Sequence, residues 1–298
     1  MTLPGRDAYR AELTALAETD ERIICLEADL GGKKHPFAEA HPDRFFNIGI
    51  AEGAMVDMAV GLAAAGYRPF ISTFAPFAAL RATESLKLAL GYIGAPITVV
   101  APYAGVSGAW FGTTHHSLED IGIVRTVPGV AIAAPHGEAD MRAVVRHALE
   151  TGRPHYIRTG RNAAYESLPG DAAGPGEVKW AARRPGGACL VSVGEEAARL
   201  CGEAESGLSH AVLTYVDNES LRTAAKELSR HHSTLIVVEE HRTAGSAAEA
   251  LALLLPEAEV HSVSAGDQWP AQGGDHAETL AQVGLHPAAL AAKTAETA

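Results

Sequence analysis

The chain has 298 residues, long enough for two domains of about 100–200 residues, each with its own core. Hydrophobic residues make up 47% and charged residues 20%, which excludes wholesale disorder, and a net charge of −12 without any basic run excludes nucleic acid and anionic membranes as general partners. Cys25, Cys189 and Cys201 are widely spaced and form no C-x-x-C pair, so neither a disulfide framework nor a zinc site is expected. The opening "MTLPGRDAYRAELTAL" has no apolar signal core, and no run of about 18 apolar residues occurs, so the sequence reads as soluble and cytoplasmic.

In chain order, "RIICLEADL" (22–30) reads as a strand ending in a turn at Asp29 and Leu30. "FFNIGI" (45–50) reads as a buried strand that delivers Glu52 to the start of a helix over 51–65, where Met55, Met58, Ala59, Leu62 and Ala63 recur at helical spacing. The strands "RPFISTF" (68–74), "APITVVAPY" (95–103), "VAIAAP" (130–135) and "PHYIRTG" (154–160) follow, with helical patterns at 75–92, 117–125 and 137–151. Such alternation predicts parallel strands with crossover helices, an open α/β sheet covered on both faces. From 162 to 187 the Pro, Gly and charged residues read as a linker. A second α/β set has strands at 188–194, 210–216, 233–241 and 258–264 and helices near 195–206, 219–230, 243–255 and 276–283. The expected fold is therefore two open, mostly parallel-sheet α/β domains, at 1–165 and 187–298, joined by a linker at 166–186.

Several residues carry chemistry. Glu52 either faces the positive end of a helix dipole, worth about 0.3–1 kcal/mol, or is a carboxyl at the carboxyl edge of a parallel sheet that exchanges a proton with a ligand. Phe74 and Phe77 in "STFAPF" stand three apart on one face of a helix start, able to hold a flat ring or simply to fill the core. His115 and His116 lie in the Gly/Thr-rich loop "GTTHHS"; a neutral histidine both donates and accepts, which suits a hydroxyl or oxyanion, and a plain surface loop is the alternative.

The motifs "HPDRFFNIGIAEGAMVDMAVGLAAAG", "PFISTFAPFAALRATESL", "YAGVSGAWFGTTHHSLEDIGIVRTVPGVAIAAP" and "YIRTGR", with "VEEHRTAGSAAEAL" further on, resemble the C-terminal half of transketolase-type thiamine diphosphate enzymes. The resemblance implies a pyrimidine-binding domain followed by a transketolase C-terminal domain. It implies that Glu52 bonds the aminopyrimidine of thiamine diphosphate, that Phe74 or Phe77 stacks on that ring, and that Asp29 and Leu30 point at the cofactor. His115 or His116 would act near the reacting carbon, Arg161 would bind a substrate phosphate, and Tyr103 stands where transketolases often have histidine. The Gly-Asp-Gly and Asn motif that holds the diphosphate and Mg²⁺ does not occur; "GGDH" (273–276) lies in the wrong domain. The expectation is one subunit of a split enzyme, an α2β2 heterotetramer whose N-terminal-half partner supplies the diphosphate and Mg²⁺ site. Phe111, beside Trp110, replaces the aspartate that contacts a donor-sugar hydroxyl in transketolases. Three readings stay open: ketol transfer from a ketose phosphate, an acyl-forming 2-oxoacid component serving a lipoyl or carrier protein, and a non-catalytic interaction subunit.

Overall fold

The computed structural model describes residues 2–31, 34–162, 168, 172–270 and 273–297. In its first half six strands form one parallel sheet in the order β2-β1-β3-β4-β6-β5. These are β1 (Ile23–Glu27), β2 (Phe45–Asn47), β3 (Arg68–Ser72), β4 (Thr98–Ala101), β5 (Ala131–Ala133) and β6 (His155–Arg158). The central strands are continuous apolar runs because both of their faces are covered. On one face α1 (Gly5–Leu16) and α6 (Glu138–Thr151) pack against Ile23, Cys25, Phe70, Val100 and Ile157; on the other α3 (Glu52–Ala64) packs against Ile24, Leu26 and Ile71. The short helices α2 (Pro36–Ala40), α4 (Thr83–Leu86) and α5 (Asp120–Arg125) complete this half.

The second half is a five-stranded mixed sheet in the order β11-β10-β8-β9-β7. Its strands are β7 (Lys179–Ala182), β8 (Cys189–Val193), β9 (Ser209–Leu213), β10 (Thr234–Arg242) and β11 (Glu259–Ala265), and only β7 runs antiparallel to its neighbour. Its helices are α7 (Glu195–Glu203), α8 (Asn218–Ser229), α9 (Ala247–Leu254), α10 (His276–Gln282) and α11 (Pro287–Thr297). Among the described residues no helix is long and apolar enough to cross a membrane.

Four local features differ from the sequence reading. The stretch 166–186, expected as linker, contains β7; an edge strand needs only one apolar face, and the charged "EVKWAARR" masks it. The strand expected as buried at 45–50 is the sheet edge, leaving Phe46 42% and Ile50 73% exposed. The helical stretch 75–92 is α4 flanked by two π-helical segments, Phe77–Arg81 and Lys87–Tyr92. Helices α1 and α11 were not anticipated, and α1 hides its amphipathicity because Arg10 and Glu12 lie on its buried face. There Arg10 bonds Glu27 at 2.7 Å, and Glu12 accepts from Arg142 and Arg146.

The two halves share one core. Ile24, Leu26, Ile71 and Val99 of the first sheet belong to the same buried cluster as Cys189, Val191, Leu213 and Leu235 of the second. The backbone also crosses over: Ala134 N donates to Thr214 O and Val216 N to Ile132 O, at 2.7 and 2.9 Å. Strand β7 pairs with β9, so the second sheet starts at Lys179 and not at 187.

Candidate active site

The carboxyl ends of β1, β3 and β4 open into one region, where parallel α/β sheets bind ligands. Two non-glycine residues there have positive φ, Asp29 at 48° and Tyr103 at 62°. Strained backbone of this kind is held only where the surroundings over-determine it.

Glu52 is the first residue of α3 and is 2% exposed. Its Oε1 accepts from Arg81 Nη1 at 2.7 Å, while Oε2 is buried without a partner. Such an oxygen carries a desolvation cost unless something bonds it. Arg81 closes the π-helical segment that starts at Phe77, and its guanidinium carbon lies 4.2 Å from the Phe77 ring centroid. One cation thus covers the Phe77 face and holds one Glu52 oxygen; π turns recur at functional sites.

Around this carboxyl the rings gather. Phe74 and Phe77 meet edge to face at 5.6 Å, Phe74 and Tyr103 are tilted at 4.6 Å, and both pack with Leu30. His115 closes the cage: it stacks on Phe111 at 4.6 Å and 20°, and meets Phe74 and Phe77 edge to face with ring centroids 5.4 and 5.1 Å apart. Burial, and then the nearby Arg81 charge, lower the His115 pKa, favouring the neutral ring that donates and accepts. Trp110 lies 5.4 Å from Phe111 and, like it, is nearly half exposed.

The remaining named residues fall as follows. Arg161 places its guanidinium 4.5 Å from the Trp110 ring centroid and 5.6 Å from that of Tyr103, and among the described residues no carboxylate is ion-paired to it. Asp29 is exposed; its backbone N lies 3.4 Å from Asn47 Oδ1. His116 is buried, with no ring contact to the cage among the described residues; burial lowers its pKa, the Ala109 backbone and then the Glu240 charge of the second half opposing the shift. The structure thus brings Glu52, Leu30, Phe74, Phe77, Tyr103, Trp110, Phe111, His115 and Arg161 to one rim, and sets His116 behind it.

Sequence reasoning missed Arg81 and Arg6. Arg6, from α1, pairs with Asp7 at 3.3 Å and reaches the Tyr103 hydroxyl at 3.5 Å, its guanidinium carbon 5.8 Å from the centroid of the ring that Arg161 also approaches. Neither stood out, because the contacts cross 29 and 97 residues of chain.

The fold and this rim define a class: an α/β protein with a buried carboxylate and an aromatic cage at the carboxyl edge of a parallel sheet. Residues 2–166 match the family described as "Transketolase, pyrimidine binding domain", and the chain belongs to that family. It is 35% identical over 275 residues to a 1-deoxy-D-xylulose-5-phosphate synthase of Frankia casuarinae, covering 87% of this chain and 41% of that protein. It is 30% identical over 265 residues to the "Putative transketolase C-terminal section" of Methanocaldococcus jannaschii, covering 83% of this chain and 80% of that protein. A solved structure titled "Split gene transketolase, inactive beta4 tetramer" superposes with a TM-score of 0.86 at 28% identity, covering 100% of this chain and 98% of that one. The chain spans half or less of the length of the first curated relatives, 41%, 50% and 42%.

Proposed function

We propose that the chain is the pyrimidine-binding subunit of a split thiamine diphosphate enzyme that moves a two-carbon ketol unit from a ketose phosphate or related donor to an acceptor. The observation that carries this reading is the unpartnered, buried Oε2 of Glu52 beside an aromatic cage. A weakly basic ring nitrogen would satisfy that oxygen, and a flat heterocycle would suit the rings of Phe74 and Phe77. The residues present therefore fit the cofactor's pyrimidine. Bound there, the cofactor supplies a carbon nucleophile and an electron sink for breaking a C–C bond next to a carbonyl.

The chain's own residues then divide the work. Glu52 holds and returns a proton at Oε2. His115, kept neutral, donates to or accepts from an oxygen on the reacting carbon. Arg161, which has no carboxylate partner among the described residues, offers an anionic donor group a cation at the rim. The diphosphate and Mg²⁺ ligands are assigned to a partner subunit in an α2β2 assembly. The names of the archaeal relative and of the split-gene neighbour support this assignment, as does the neighbour's description as an inactive beta4 tetramer.

A second reading is favoured by Phe111. Its stack on His115 puts apolar surface where a polyhydroxylated sugar needs acceptors, which suits a small 2-oxoacid donor. Mixing the chain with a diphosphate-binding subunit and comparing ketose phosphates with 2-oxoacids separates the two. The chain alone should neither bind the cofactor tightly nor turn over; strong Mg²⁺-dependent binding by the chain alone would refute the split arrangement. Glu52→Gln should lower turnover of the assembled enzyme by about 10²-fold or more, and near-normal turnover would reduce Glu52 to a helix-dipole residue.

A further inference from the structure

Two motifs of the second half have no part in the chemistry above, "VEEHR" at the end of β10 and "GGDH" at the start of α10. Both touch the loop that carries Trp110, Phe111 and His115. Glu240, 8% exposed, accepts the Val106 backbone N–H at 2.7 Å. Gly105, at φ +62°, lies so close that a Cβ there would stand 2.0 Å from the Glu240 carboxyl carbon. Arg158 of β6 ties the same corner, donating to Ser117 O and Glu240 O at 3.4 and 3.1 Å.

From the other side, Gly274 N donates to Ala109 O at 3.2 Å, and a Cβ on Gly273 would meet Ala109 O at 2.6 Å and Gly112 N at 3.0 Å. Asp275 caps α10 through Ala277 N and Glu278 N, so the glycine pair is fixed to a helix start. His276 then reaches back to Glu240 Oε1 at 3.5 Å and Asn162 Nδ2 at 2.7 Å. The loop itself holds the reciprocal Gly105 and Ser117 backbone pair and two short 3-10 turns, Ala109–Phe111 and Thr113–His115, whose bonds reach back only three residues. Such turns set local shape only; where they stand relative to the sheet is set by the bonds from the second half at Val106 and Ala109.

We infer that the second domain is a template for the 105–117 loop, and that Glu240 is the positioning residue through which it sets where Trp110, Phe111 and His115 stand. The consequence for donor choice rests on the function proposed above; the mechanical part does not. A second domain that bonds the loop at Val106 and abuts it at 109–112 fixes the width of the aromatic rim and the direction of the His115 ring. The domain therefore contributes to substrate selection without touching the substrate.

Hydrogen exchange on the full chain tests the mechanical part. Glu240→Met removes the acceptor and should speed exchange of the 105–117 amides about tenfold or more, leaving β4, β8 and β10 unchanged. Glu240→Gln keeps an oxygen for Val106 N–H and should return the loop to the parental rate, which a loss of charge alone would not do. Gly273→Ala works from the opposite side and tests the template even if Glu240→Met fails to fold; it should loosen 109–117 by a similar factor. Unchanged loop exchange in the folded variants, or equal loosening of loop and strands, overturns the proposal. In the assembled enzyme Gly273→Ala should raise the donor KM about fivefold while cofactor half-saturation stays constant; an unchanged KM overturns the selection role. Absence of ketol transfer from the parent enzyme would refute the functional reading instead, and the exchange result would stand apart from it.

Discussion

Arg81 holds a buried oxygen and covers a phenyl face with one side chain that is 47% exposed. Removing one member of a fully buried ion pair costs about 3–5 kcal/mol, but water can replace a partner that reaches it from the surface. Arg81→Ala should therefore destabilise the chain by only about 1 kcal/mol, read from urea unfolding. In a Glu52→Gln background the cost should shrink to a few tenths of a kcal/mol, since the pair is then already broken. A loss near the fully buried value would mean that the Glu52 carboxylate is sealed from water. The residues at the rim were legible wherever a strand end or a loop motif presents them, as with Glu52, Phe74, Phe77 and His115. Arg81 and Arg6 were not, since their contacts exist only once distant segments meet. The order of the two histidines was also undecided in sequence; packing separates them, turning the His115 ring to the cage and burying His116 behind it.

His155 in β6 and His210 in β9 stand where a strand covered on both faces would be expected to carry an aliphatic residue, 0% and 5% exposed. Burial lowers the pKa of each from 6.5 to about 4. The folded pKa lies below the unfolded one, so as pH falls from 6.5 toward 4 the unfolded chain takes up protons that the folded chain refuses, and stability drops. At pH 5 the loss should be about 2 kcal/mol per histidine relative to neutral pH. His155→Leu should remove about that much of the difference in unfolding free energy between pH 7 and pH 5, read from urea unfolding; an unchanged difference would mean that the ring is hydrated. The buried central strands were legible because a strand covered on both faces is written as a continuous apolar run. Edge strand β7 was not, because its half-exposed residues look like linker, and the π segments were not, because a 3.6 period and a wider turn cannot be told apart over five or six residues.

Across the whole molecule the halves meet at charged groups as well as at the shared core. Glu195 opens α7 and accepts from Thr159 Oγ1 at 2.7 Å and Gly160 N at 3.2 Å, across the junction of the two sheets. Burial pushes its pKa up from 4.5 to about 7, the bonds from Thr159 and Gly160 opposing the shift. The folded chain therefore holds a proton that the unfolded one gives up, and stability contributed by this group declines as pH rises from 4.5 to 7, opposite to the histidines. Glu195→Gln should relieve that decline, so unfolding midpoints at pH 5 and pH 7.5 should shift in the reverse sense to those of His155→Leu. A shift in the same sense would disprove the assignment. The alternation of strands and helices gave away the two sheets, but not how closely they are joined, because a junction made of backbone crossings and single carboxylates leaves no periodic signal.

Gly122 on α5 and Gly245 beyond β10 touch backbone to backbone: a Cβ on Gly245 would stand 2.8 Å from the Gly122 Cα, and one on Gly122 would stand 3.1 Å from the Gly245 Cα. No side chain can be accommodated at that point without moving a main chain. The pair therefore acts as a keyed fitting for anyone building hybrids. A second domain borrowed from a relative should seat on this first domain only if it brings a glycine to that spot, however well the remainder of its surface matches, and a single added methyl should be enough to reject the transplant.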